Sequence, residues 1–241
     1  MNQTIVVSDT QSKTLYKVAA IMALLIATAG IVDAVTSNMG AEARGNNTVN
    51  IVEWFALFQT NPFSAFSTLG VINIITLSMG IPIYLAFHIA HRQDHPALTA
   101  FASILFFIGT AVYIASNTVF SLFALSQQYA TATEVQKPLL EAAGSALLAQ
   151  GADLTSGTVV GLLLTQIAGI VIASVMLRGR LFGKWIGGTG LAGFSLMTIF
   201  FILAAFAPEH FGTAMAVAMP GGLALTAYQV MLARRFFQIG R

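Results

Sequence analysis

Cysteine is absent from the 241 residues, which excludes disulfides, thiolate metal centres and cysteine nucleophiles. Charge is nearly as scarce. Only 8% of the residues are Asp, Glu, Lys or Arg, against roughly 25% in an ordinary soluble domain. The usual sequence marks of chemistry are missing too: there is no phosphate-binding loop, nucleophile elbow or HExxH helix. "GGTGLAG" opens an apolar run with no strand before it, so it is not a phosphate cradle. No lysine lies midway along an apolar run, so a retinal Schiff base has no anchor.

What is there in quantity is apolar surface. With 56% hydrophobic residues and a mean hydropathy of +0.80, the chain carries more than a water-soluble core can hide, and it reads as an integral membrane protein. A spanning helix needs about 20 mostly apolar residues. Six runs meet that length, at about Leu15–Thr36, Ser64–Ala90, Ala97–Ser126, Ser156–Leu177, Trp185–Ala207 and Gly212–Ala233. The fold class expected is therefore all-α, one polytopic bundle of six transmembrane helices. The N-terminal segment lacks a basic-then-apolar leader, so the first run is expected to be retained as a span.

Charge placement tests this count. With the N-terminus in the cytoplasm, the inner segments hold Lys13, Lys17, Arg92, Arg178, Arg180, Lys184, Arg234, Arg235 and Arg241, and the outer segments only Arg44 and Lys137. That bias fits an even number of crossings with both termini inside. It also explains the pI of 9.1 as a topology signal rather than a phosphate-binding patch, so nucleic acid is not an expected partner. Glu42, Glu53, Glu134, Glu141, Asp153 and Glu209 all fall outside.

The two long connections are both outer. Residues 37–63 carry Trp54, Phe55 and Phe58 ahead of the Asn61-Pro62 turn, a pattern suited to a short helix in the headgroup layer. Residues 128–155 place Thr131 and Glu134 at capping-box spacing. Leu139, Ala143 and Leu147 then recur at helical spacing opposite Glu141 and Ser145, as in an amphipathic helix ending at Gly151. It reads either as a lid over an outward pocket or as a membrane-surface connector.

Small residues mark helix contacts. Gly157, Gly161, Thr165, Gly169 and Ala173 repeat every four residues in the fourth run, Ala214, Ala218, Gly222 and Thr226 in the sixth, and Gly183 and Gly187 open the fifth. Such faces serve packing within the chain, or between copies or with partners in a larger membrane complex. Pro82 and Pro220 interrupt the second and sixth runs. "AGIV" at Ala29–Val32 and Ala168–Val171 is too short and too apolar to establish an inverted repeat.

Polar side chains within spans are costly and face protein or water. Asp33 is the carboxylate of the first run. Asn73, Thr76, Gly80 and Tyr84 form one stripe on the second, and Thr110, Tyr113, Asn117 and Ser121 another on the third; Gln166 lies at similar depth on the fourth. Asp33, Asn73, Tyr113, Asn117 and Gln166 are the candidate ligand-binding set, for a cavity open to the outside. The alternative is hydrogen bonding between helices. In "FHIAHRQDH", His88, His91 and His95 lack the further ligands and supporting shell that a metal site needs. They read as rim residues near the headgroups, and no metal or cofactor is expected.

The stretch "YIASNTVFSLFALSQQYATATEVQKPLLEAAGSALLAQG", the inner loop "VMLRGRLFGKWIG" and the first-run "AGIVDA" resemble the domain-of-unknown-function 4386 family of small bacterial multi-pass membrane proteins. The resemblance implies six spans and a bacterial inner-membrane setting. It brings no established activity, so no residue role comes with it. The reading from sequence is a non-enzymatic membrane protein, either an accessory subunit of a larger complex or a binder of lipid-like or small amphipathic ligands; the alternative is a permease-like transporter.

Overall fold

The computed structural model describes residues 9–39, 50–179 and 181–241. Glu42, Arg44 and Arg180, used in the charge reading above, lie outside the described residues. Helices make up nearly all of the described residues, and no strand occurs among them. The helices are α1 (Asp9–Met39), α2 (Ile51–Thr60), α3 (Pro62–Thr68), α4 (Val71–His91), α5 (Pro96–Ser116), α6 (Val119–Ala130), α7 (Lys137–Gly151), α8 (Ser156–Arg178), α9 (Lys184–Phe206) and α10 (Phe211–Ile239), with a 3₁₀ turn at Pro208–His210. Among the described residues, six helical stretches are long and apolar enough to cross a membrane. They correspond to α1, α4, α5 with α6, α7 with α8, α9, and α10.

The long helices form a closed ring. α1 packs on α4, α4 on α5, α5 on α8, α8 on α9, α9 on α10, and α10 returns to α1. Neighbours run in opposite directions, as the paired side chains require: Tyr16 stacks on Phe236, Tyr84 on Phe106, and Phe194 meets Tyr228.

Small residues make the contacts, as expected in lipid, where backbones gain from close approach. A methyl group on Gly161 would lie 2.7 Å from the Gly109 carbonyl oxygen, and one on Gly109 would lie 2.8 Å from that of Gly161. α5 and α8 thus touch backbone to backbone, a geometry that also favours weak Cα–H···O bonds. Further along α8, Gly169 packs under Phe194, and Ala173 borders Gly187 and Gly190 of α9. The small face of the fourth run therefore serves two neighbours in the same chain. On α1 the buried face is Tyr16, Ala19, Ala20, Ala23 and Ala27.

The expectation for α10 needs correction. Ala214 is buried, but a methyl group on Gly222 would meet nothing within 4 Å. The face that meets α9 instead carries Gly221, against Leu196 and Met197, and Leu225 and Tyr228, against Gly193 and Gly190. The larger residues of α10 fit because the glycines of α9 make room for them. Gly183 likewise makes no such contact; its φ of 84° fits the start of α9.

Aromatic side chains fill the end of the ring that carries the basic residues: Tyr84, Phe87, Phe106, Phe182, Tyr228 and Phe236 form one buried cluster. The outward faces are apolar, with Phe101, Ile104 and Ile108 of α5, Val160 of α8 and Leu223 of α10 all exposed. In water such a belt would be a liability; in a bilayer it is the solvent-matched surface.

The short helices α2, α3, α6 and α7 form a cap at the opposite end. Asn50 starts α2 by accepting from the Val52 N–H at 3.2 Å, and Asn61 starts α3 by accepting from that of Ser64 at 3.1 Å, with Pro62 in the first turn. The second span begins at Val71, not Ser64, because α3 breaks from α4 at Leu69–Gly70.

Two further expectations change in the cap. Trp54, Phe55 and Phe58 do not face headgroups; they are buried against Val119 and Leu122 of α6, with Leu147 and Leu148 of α7 alongside. α7 ends at Gly151 as expected, but its packed face is Leu140, Gly144, Leu147 and Leu148, while Leu139 is 71% exposed and Ala143 is exposed. Gly144 sets this rotation: it admits Ile51 and Phe55 of α2 at distances a methyl group would forbid. The capping bond falls two residues later than predicted, from the Thr133 N–H to Gln136 Oε1 at 3.0 Å.

Candidate functional site

Three helix breaks meet where the cap joins the ring. The third run is not one helix: α5 ends at Ser116, Asn117 takes an extended conformation (φ −73°, ψ 126°), and α6 starts at Val119. α3 gives way to α4 at Gly70, whose φ is 96°, a conformation glycine adopts without strain. α7 gives way to α8 through Ala152–Thr155, with Leu154 at φ 64°.

Side chains tie these breaks to one another. Asn117 Nδ2 donates to the Leu69 carbonyl at 2.9 Å, and its Oδ1 accepts from the Val119 N–H at 3.0 Å. One amide therefore closes the break in its own run and fixes the break in another. Tyr113, fully buried, donates through its hydroxyl to Asp153 Oδ1 at 2.9 Å and sits 3.3 Å from the Gly70 carbonyl. Asn73 Nδ2 donates to Asp153 Oδ2 at 3.0 Å. The Thr118 N–H donates to the Gly151 carbonyl at 3.0 Å, and its hydroxyl to that of Leu147 at 2.8 Å. Asp153 is the acidic residue of the set, and its two carboxyl oxygens accept from two different helices, α5 through Tyr113 and α4 through Asn73.

The structure thus brings together Asn73, Tyr113 and Asn117 of the predicted set. Asp33 stands half-buried on α1, which flanks α4 from its other side. Gln166, on α8, has its Oε1 buried with no hydrogen-bond partner among the described residues. The α5 stripe holds for Thr110, Tyr113 and Asn117 but not for Ser121, which lies beyond the break and is exposed. The α4 stripe faces inward throughout: Gly80 accommodates the Phe106 ring, on which Tyr84 stacks with centroids 3.9 Å apart.

Sequence reasoning left out Asp153 and Gly70. Asp153 was grouped with the outer acidic residues, although its position in "GADLTSG", between two helical patterns, marks a turn. Gly70 is a helix-stop glycine: a methyl group there would fall 2.3 Å from the Tyr113 hydroxyl and 2.9 Å from Asn117 Nδ2.

Beside this junction lies a groove of about 310 Å³ lined by Phe63, Phe66, Ser67, Val71, Ile72, Ile75 and Phe120. Apart from Ser67, its walls are apolar side chains. It opens between α3, the first turns of α4 and the start of α6, with Phe63 and Phe120, both more than half exposed, at its rim.

His91 also departs from expectation. It is 1% exposed rather than at the rim, in ring contact with Phe182 at 5.3 Å. His88 Nδ1 lies 3.2 Å from the Thr99 hydroxyl.

No protein-family model, curated protein or solved structure matches the chain. The class that the architecture defines is a helical bundle built like a multi-pass membrane protein.

Proposed function

We propose that this chain is a non-enzymatic membrane protein that holds a lipid-like or small amphipathic molecule at its cap end, with the apolar tail in the groove between Phe63, Phe66, Val71, Ile72, Ile75 and Phe120. The groove carries the reading. It is concave and apolar, it lies at the cap end of the ring, and its walls come from three helices whose relative positions the Tyr113–Asp153–Asn117 junction fixes. Ligand sites are mostly apolar concavities with a few polar groups at their edge. The positive-inside bias, with the basic residues at the opposite end of the ring, supports an outer-leaflet position for the groove.

The transporter reading has less support. Asn73, Tyr113 and Asn117 would have to turn to a substrate, and each already holds a helix break. The accessory-subunit reading loses one of its arguments, since the small face of α8 is taken up by α5 and α9.

The test is photo-crosslinking of the full chain in nanodiscs with a diazirine-bearing palmitic acid. Label is expected to concentrate on the rim residues Phe63 and Phe120, and to fall severalfold in an Ile72→Trp variant that fills the groove. Equal labelling of the groove and of the outward Ile199 and Ile202 of α9 would mean that the groove is only part of the lipid annulus, and the reading would be abandoned.

A further inference from the structure

His91 is the last residue of α4 and is 1% exposed, yet neither ring nitrogen has a hydrogen-bond partner among the described residues. A neutral imidazole has one donor and one acceptor, and burying each unsatisfied costs on the order of 1–3 kcal/mol. Phenylalanine would fill the same aromatic cluster without that cost. A group kept where a cheaper one would fit calls for a role.

Its surroundings point to one. The ring is in contact with Phe182, which is 4% exposed and also packs edge-on against Phe87 and Phe236. A methyl group on Gly179, at the end of α8, would lie 3.3 Å from His91 Cε1 and 3.7 Å from Nδ1, so the imidazole edge rests on bare backbone. The strand of chain bearing Phe182 is further held by Arg235 Nε of α10, which donates to the Leu181 carbonyl. Asp94 and His95 are the ionisable groups near enough to act on the ring electrostatically, and both lie past it on its own chain. From the other helices, the charged side chain held at this segment is that of Arg235 of α10, a cation.

We propose that His91 is a proton-responsive latch that keeps Phe182 seated while neutral and releases it when protonated. A second N–H and a positive charge on the seated ring would find no acceptor among the described residues, a position that a buried charge holds only at high cost. Released, the imidazolium reaches water and Asp94, and Phe182 loses the ring it packs on. The sign follows from linkage: the open form binds more protons than the seated form, so seating strengthens as pH rises and weakens as pH falls. With an ordinary histidine value of about 6.5 in the open form and no protonation in the seated form, the open fraction rises about tenfold from about pH 7.5 to about pH 5.5.

The experiment is limited digestion of the full chain in mild detergent with proteinase K, which cuts at apolar and aromatic residues over a broad pH range. Cleavage at Leu181–Phe182 is followed by mass spectrometry. The rate for the native sequence relative to His91→Phe, at each pH, cancels the protease's own pH profile. That ratio is expected to rise about tenfold over about two pH units. A ratio that stays flat overturns the proposal. His91→Gln, polar but uncharged, serves as the reference if His91→Phe does not accumulate, and with neither variant the native chain alone decides: protection of residues 181–183 from hydrogen exchange, corrected for intrinsic rates, must fall with pH or the latch is wrong.

Discussion

Replacing Tyr113 by phenylalanine removes one oxygen from the junction and changes nothing else in the packing. The hydroxyl bridges to Asp153 Oδ1 at 2.9 Å and to the Gly70 carbonyl at 3.3 Å. The second of these matters less, because the Gly70 carbonyl also accepts from the Ile74 N–H at 3.1 Å and is not orphaned by the change. The cost is therefore mainly that of the carboxylate bond. Bonds to charged groups contribute about 1.5–3 kcal/mol in soluble proteins, while interhelical bonds in membranes average only about 0.6 and reach about 1.7 kcal/mol. Tyr113 is fully buried but Asp153 is only partly so, which puts the expectation between these, at about 1–1.5 kcal/mol. The assay is reversible unfolding in mixed micelles, read by Trp54 in a Trp185→Phe background. Trp54 is 6% exposed within the cap, whereas Trp185 is 86% exposed on α9, so the remaining signal reports the cap. A cycle with Asp153→Ala isolates the pair: the double variant should cost about 1 kcal/mol less than the sum of the single ones. A coupling below about 0.3 kcal/mol would refute the claim that this bond holds the breaks together.

Substitutions at two further positions probe the same architecture. Gly161→Leu places a side chain against the α5 backbone at Gly109 and Tyr113; a loss of about 3 kcal/mol or more is expected, with reduced accumulation of folded protein measured by detergent-resistant gel filtration. Asn117→Ala loses both the acceptor for the Val119 N–H and the donor to the Leu69 carbonyl. A loss of about 1–2 kcal/mol is expected in the same unfolding assay, and an unchanged stability would deny that this amide ties the two breaks together.

The long helices were legible from hydropathy, and close packing along α8 from the spacing of Gly157, Gly161, Thr165 and Gly169, because both are local patterns; which helices that face meets was not. The break at Asn117 was not. Neither Pro nor Gly interrupts "YIASNTVFSL", and its polar residues at helical spacing read as a continuous stripe. What stops the helix is a partner about fifty positions away, the Leu69 carbonyl, and another more than thirty positions on, the Gly151 carbonyl. The same holds for α7, whose Leu139 face looked like the buried one until Gly144 gave α2 a closer seat. Asp153 escaped notice because its charge placed it with the solvated acidic residues. Its role depends on Tyr113 and Asn73 arriving from two other helices.

The ring also bears on how the chain is made. Each of α4, α5, α8, α9 and α10 docks on the long helix just before it, so most of the bundle can assemble stepwise as it leaves the ribosome, with short-range contacts that form fast. α1 is the exception on one side. Its alanine face meets α4 early, but Tyr16 waits for Phe236, and the Gly240 backbone comes to rest against Lys13 and Lys17 only after every other long helix is in place. Closure thus waits for the sixth long helix, and a bundle without α10 keeps an open seam between its first long helix and its fifth.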